Sequence, residues 1–494
     1  MKRIFVTFAL GLLSACGSSS DDGPVAVAVI GTPSSLLDEG VRLSPAAQHV
    51  RSATVEGLVA MDPAGQVVPA LAERWIVTDD GLSYIFRLRQ SDWPDGEEIT
   101  AADVRTLLSD GIAALDGTSM ELDLAKISEV RAMTGRVVEI RLTSPMPEFL
   151  QLLAQPELGL SRDGEGAGPM ARTTVQDQPI FRLTARPPET RGLPPREDWE
   201  AGAKSVTVQA MPAARALDAF ADGTIDLVLN GRLANFPQVE IGPLSRGTIQ
   251  VDPAQGLFGL MIKNDDGLLS DPARREALSM AINRSELLQN FALSGWQPSS
   301  WIAPPEFFTQ YEIGADRWET LTFEERVEVA RDRIARWRAA PGRDATIEGP
   351  ARLSVAMPKG PGSDLLFEKL ASDWRAIGVT AYRVEPGETA DLELVDRLAR
   401  YSSPQWYLNQ FHCSLRRGLC SPDADEIVEE SLGMLNLGQK ERLFAEAQSA
   451  MIADEIFIPL GAPVRWSLVR GAVTGYAPNQ WGVHPLFPLS QPPT

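Results

Sequence analysis

The chain has 494 residues, a formal charge of −20 and only three cysteines and three histidines. Acidic and basic residues are interspersed rather than blocked, so the excess reads as a solvated surface, which sets nucleic acid aside as a partner. The length calls for two or three domains.

Lys2 and Arg3 precede a largely apolar run from Ile4 to Leu13, which ends in Leu13-Ser14-Ala15-Cys16. Two cations, a short apolar stretch and small residues form a secretory leader rather than a membrane span. Leu-Ser-Ala-Cys resembles the bacterial lipobox, and the resemblance implies cleavage after residue 15 and lipidation of Cys16. Residues 16–23, Gly- and Ser-rich, form a flexible tether. Without the leader and its two cations the chain has 479 residues and a formal charge of −22. The body is expected in the periplasm, anchored to the inner or outer membrane, since Gly17 selects neither. No later apolar stretch approaches the ~18 residues a spanning helix requires.

Along the body, strand and helix periods alternate. Val25 to Ile30 is an unbroken apolar run of strand length. Leu82, Tyr84, Phe86 and Leu88 alternate with polar residues after the Asp80-Gly81 turn, and Val138, Ile140 and Leu142 repeat the pattern. Thr100 to Asp103 has capping-box spacing ahead of Val104, Leu107, Leu108 and Ile112. The glycine-rich run Gly164 to Pro169 fails as a nucleotide fingerprint because proline, not an apolar helix, follows. Arg186 to Pro195, with two proline pairs, predicts a surface loop. Asp271-Pro272 and Thr322 to Glu325 predict two helix starts, the second leading a stripe of Val327, Ala330, Ile334 and Trp337. Between a strand at Leu353–Met357 and a helix at Leu365–Trp374, Lys359 to Asp364 predicts a turn, with anion binding at the helix start as the alternative. Strands and helices share every region, which defines an α/β protein of mixed sheets.

Cys413 and Cys420, seven positions apart in an oxidising compartment, predict a local disulfide. The alternative, a metal site, lacks ligands: His412 is adjacent, but His49 and His484 are remote, and neither Cys-x-x-Cys nor His-Glu-x-x-His occurs. No metal or cofactor is expected. The scattered histidines and the lack of a Gly-x-Ser-x-Gly elbow argue against a hydrolase, so the protein is read as a binder and not an enzyme.

A collinear series of segments resembles bacterial extracellular solute-binding proteins of the peptide and nickel class, family 5. It runs from Glu56-Gly57-Leu58 through Met61 to Gly65, Pro69 to Ala72, Trp75, Asp80 to Tyr84 and Phe86 to Arg89, then Trp93 to Glu97 and Thr100 to Val104. Further segments are Ala219-Phe220, Gly223 to Asp226, Leu260 to Asn264, Asp271 to Arg284, Trp374 with Ile377 to Val379, and Ala447 to Leu460. The resemblance implies a two-lobe periplasmic binding protein fold (class II-like, cluster C) with an extra N-terminal subdomain and crossover hinge strands. Residues 24–255 would form the first lobe with the subdomain, 256–455 the second lobe, and 456–494 a return to the first. A monomer would then capture a peptide or other small-molecule ligand by closing its lobes and dock on an ABC permease complex in the inner membrane. The rival is an envelope receptor or chaperone using the same lobes without transport.

Ala399 to Asn409 resembles the cleft segment of peptide binders, in which an aspartate before the tyrosine receives a peptide α-amine. Here Arg400 stands at that position, and its planar fork of donors suits an anionic or N-blocked ligand. The competing reading pairs Arg400 with Glu393 or Asp396, or leaves it in solvent. Trp406 and Trp481 are candidate cleft walls or lobe core, and Tyr401 and Asn264 candidate hydrogen-bonding groups.

Overall fold

The computed structural model describes residues 23–175, 179–239, 248–291, 293, 295–308, 317–340 and 351–491. The expected leader, most of the expected tether and Cys16 lie outside them.

Val25–Ile30 is buried on both faces at the centre of a seven-stranded sheet, pairing in parallel with Val206–Met211 and Leu227–Arg232. Outward from these lie Ile180–Ala185 and Met170–Thr174 on one side, Arg465–Val469 and Ile249–Val251 on the other. A continuous apolar run of valines, alanines and isoleucine suits such a position, because both faces of the strand meet a packed layer.

Between the first strand and the rest of that sheet the chain inserts a subdomain. Its antiparallel sheet has the order Ala72–Val77, Ser83–Leu88, Val137–Leu142 and Ile127–Ala132. Tyr84, Phe86 and Leu88 point inward, as the alternation requires. Helix Ala101–Ala113 covers this sheet and begins with a complete capping box: the Thr100 hydroxyl accepts from the Asp103 amide, and the Asp103 carboxylate accepts from the Thr100 amide.

The second lobe has a five-stranded sheet in the order Val379–Val384, Ala351–Ala356, Leu392–Leu398, Gly256–Ile262 and Phe457–Gly461. Helix Pro272–Met280 starts at an Asp271 cap, and Phe323–Ala339 starts at a second capping box of Thr322 and Glu325. Ala330 and Ile334 are buried and Val327 and Trp337 partly so, forming the stripe that the spacing predicts.

The chain crosses between lobes twice, at 252–255 and at 462–464, where strands of one sheet run on into strands of the other. Phe457–Gly461 belongs to the second lobe rather than to the returning segment expected from residue 456. Its apolar residues are buried against Gly256–Ile262, and only Arg465–Val469 joins the first sheet.

The lobes are closed on each other. One hydrophobic core runs from Phe86 and Val104 of the subdomain to Tyr401 and Trp406 of the second lobe, and another joins Val228 and Phe236 to Phe258 and Leu366. The turn expected over Lys359 to Asp364 is shorter, because helix Pro361–Ala376 begins within it, and a close backbone approach explains its glycines. A Cβ on Gly362 would lie 1.9 Å from the carbonyl oxygen of Leu233, so this turn seats helix Pro361–Ala376 against the first lobe.

Candidate functional site

Two adjoining cavities lie in the seam between the lobes, of about 500 and about 480 Å³. Arg232 of the first lobe and Asp396, Arg397 and Arg417 of the second line both, so the two form one cleft. A larger cavity of about 760 Å³ is walled entirely by residues 36–190, away from the second lobe. Lobe closure acts on the seam, and the seam is therefore the candidate site.

The cleft wall is cationic, although the chain is acidic. Arg465, 3% exposed, donates to Asp396 Oδ1 at 2.6 Å, and Arg232 approaches the other oxygen of the same carboxylate at 3.9 Å. Burial lowers the pKa of Arg232; Asp396 opposes that shift and Arg465 adds to it. The guanidinium of Arg397, near the end of strand Leu392–Leu398, donates to Gln410 Oε1 at 3.4 Å, and burial lowers its pKa against the field of Glu393. Arg417 donates to the same Oε1 at 3.0 Å. Burial first and Arg397 second bring its pKa down to about 10, with Asp123 opposing.

Arg417 is displayed by a short closed loop. Cys413 and Cys420 are disulfide-bonded with Cα atoms 5.2 Å apart, and the Leu419 amide donates to Ile262 O at 2.7 Å. Lys263 Nζ donates to the carbonyl of Arg417 and pairs with Glu393 at 2.7 Å. The end of strand Gly256–Ile262 and Lys263 just after it thus anchor the loop.

Arg400 reaches the cleft edge but pairs with neither Glu393 nor Asp396. Its guanidinium binds Glu157 at 2.6 Å and Gln155 Oε1 at 3.2 Å, joining the second lobe to the subdomain. Tyr401 is fully enclosed in the interface core and donates to Asp123 Oδ1 at 2.9 Å. Trp406, 3% exposed, forms part of the cleft wall and meets Tyr407 edge-on. Trp481 lines neither seam cavity: its Nε1 donates to Gly65 O at 2.9 Å and its ring packs on that glycine. Asn264 lines neither cavity, because its amide bonds Asp391 and the Asp266 amide at a strand end. Among the described residues no cluster of three metal-ligating side chains occurs, and no helix is long and apolar enough to cross a membrane.

Sequence reasoning missed Arg232, Arg397, Arg417 and Gln410. Arg417 alone carried a signal, its place inside the Cys413–Cys420 loop. The others converge through pairings of strands far apart in the chain.

Two closed lobes, paired crossovers and a polar interlobe cleft define a two-lobe solute-binding protein. Residues 66–411 match the family model of bacterial extracellular solute-binding proteins, family 5, and the chain belongs to that family. It is 22% identical over 476 residues to the periplasmic oligopeptide-binding protein OppA of Salmonella typhimurium, covering 85% of this chain and 84% of that one. It is 24% identical to a probable di/tripeptide-binding protein of Pseudomonas aeruginosa, covering 85% and 86%. Among solved structures, Haemophilus influenzae OppA in complex with the peptide RPPGFSPFR superposes with a TM-score of 0.77 at 16% identity, covering 94% of this chain and 98% of that one. The binding protein AgaA from A. tumefacien R10, in complex with agropinic acid, superposes with a TM-score of 0.70 at 17% identity, covering 95% and 97%.

Proposed function

We propose that the protein is the capture component of an ABC importer, taking an anionic peptide-like or other small solute into the seam between its lobes. In this reading it acts in the periplasm as a monomer, tethered by a lipid on Cys16, and its closed form presents the solute to an inner-membrane permease. Relatives that bind peptides support the ligand class, and the relative that binds agropinic acid shows that the fold also accommodates an acid. The observation that carries the anionic preference is the wall itself, where Arg232, Arg397, Arg417 and Arg465 face the cleft in a chain of net charge −20. Closure around an anion strengthens its attraction to that wall, because water leaves as the lobes meet.

Native mass spectrometry of protein released gently from its own periplasm tests this reading. The expected result is a defined mass increment from an acidic molecule. A co-purified neutral or cationic molecule overturns the anionic preference. An increment that changes into a different mass on incubation of pure protein overturns binding without chemistry.

A further inference from the structure

Within that cleft, one arrangement is built for more than a single negative charge. Arg397 and Arg417 come from different elements, a sheet strand and the disulfide-closed loop, and both donate to Gln410 Oε1, at 3.4 and 3.0 Å. Gln410 is 2% exposed, and its Nε2 donates to Trp406 O at 3.2 Å, which fixes its oxygen toward the two guanidiniums. A carboxamide oxygen accepts from two cations but neutralises neither.

Among the described residues neither arginine has a carboxylate within ion-pair distance. Glu393 and Asp123 act on them only at longer range, while Asp396 is already engaged by Arg465 and Arg232. Two half-buried, like-charged guanidiniums side by side are unfavourable unless an anion joins them, and planar forks bind the paired oxygens of an acid group well.

We propose that Arg397 and Arg417 form the seat for a dianionic group of the solute, two neighbouring carboxylates or one phosphoryl group, with Gln410 setting the spacing of the two forks. This rests on the proposed capture of a solute in the seam. One carboxylate satisfies one fork and leaves the other cation uncompensated, so discrimination against monoanions follows from the same geometry. The disulfide loop and the strand order the seat before the ligand arrives, which reduces the entropy lost on binding.

The test is calorimetry and thermal shift on the whole mature protein with matched probes: N-acetyl-Glu-Glu-amide against N-acetyl-Gln-Gln-amide, phosphoserine against serine, and succinate against its monoamide. Each dianion is expected to bind at least about tenfold tighter than its less charged counterpart, and the preference between phosphoserine and the dicarboxylates identifies the group. R397Q or R417Q is expected to cost about tenfold or more, and R417K to recover part of the loss. The matched probes need no variant, so a variant that fails to fold leaves the measurement decisive. Equal binding of charged and uncharged counterparts, or a folded double variant that binds dianions like the parent, overturns the seat. Neutral peptides bound tightly and unaffected by either substitution overturn the seat while solute capture stands. Failure of every probe, together with no co-purified solute, overturns both.

Discussion

The phenol of Tyr401 donates to Oδ1 of Asp123 at 2.9 Å, across 278 positions of sequence and across the join between second lobe and subdomain. Asn409 Nδ2 donates to the same oxygen at 2.8 Å. Burial pushes the Asp123 pKa from 3.8 up to about 7, against these two hydrogen bonds and the nearby Lys126 and Arg417. A carboxyl whose pKa is raised on closure binds its proton more tightly in the closed form than in an open, solvated one. Closure is therefore expected to strengthen as pH falls from about 7 toward 4 and to weaken as pH rises through the same window. Interlobe distance, followed by fluorescence transfer between labels on the two lobes, is expected to shorten toward acid pH in ligand-free protein. Asp123→Asn, which keeps an oxygen acceptor without the charge, is expected to flatten that dependence. A dependence of the same size in the variant refutes the assignment.

Arg400 is expected to matter for stability more than for affinity. Glu157, 5% exposed at its side chain, accepts from Arg400 at 2.6 Å and Gln48 at 3.1 Å through Oε1, while among the described residues its Oε2 has no hydrogen-bond partner. Arg400→Ala strands a largely buried carboxylate and is expected to cost about 1–3 kcal/mol. Urea denaturation is the measurement, with the loss expected to be smaller in the Arg400→Ala, Glu157→Gln double variant. A large fall in solute affinity at unchanged stability contradicts this.

Trp481 joins the C-terminal segment to the Asp62–Gly65 turn of the first lobe, through Gly65 O and the Asn479 side chain that accepts from its amide. Removing the indole leaves a cavity, and Trp481→Ala is expected to cost about 3–5 kcal/mol. The midpoint of thermal unfolding is expected to drop while dissociation constants measured below the transition stay within about twofold of the parent.

These three residues show what was legible in the sequence. Local devices were: the capping boxes at Thr100 and Thr322, the Asp271 cap, and the apolar run at Val25 each depend on neighbours within a few positions, and each forms as read. The family resemblance supplied the two-lobe architecture. The roles of Arg400, Tyr401 and Trp481 were not legible, because each depends on a partner far away: Glu157 at 243 positions, Asp123 at 278 and Gly65 at 416. An arginine before a tyrosine signals a charge, but only the fold decides whether a carboxylate or a cavity faces it. A turn ahead of a helix was legible at Lys359 to Asp364, but the helix begins at Pro361 rather than Leu365, and the reason for the glycines, the backbone of Leu233 and Ala234, came only with lobe packing.

The Cys413–Cys420 loop links that packing to binding. The loop is short, so its closure constrains the unfolded chain by about 2–3 kcal/mol, less than a long loop would, and it also holds the segment that carries Arg417. Gly418 lies against strand Gly256–Ile262 so closely that an added Cβ would sit 2.5 Å from Ile262 O. Gly418→Ala must lift the loop from that strand, carrying Arg417 away from Gln410, and the paired serine substitution of both cysteines loosens the same segment from within. Both variants are expected to weaken binding of an acidic probe such as N-acetyl-Glu-Glu-amide by about tenfold or more. Their unfolding free energies are expected to fall by less than the parent loses on Trp481→Ala. Mild reduction of the parent protein is expected to reproduce the affinity loss, and reoxidation to restore it. Unchanged affinity after complete reduction, verified by thiol titration, shows that the strand contacts alone hold Arg417 in place.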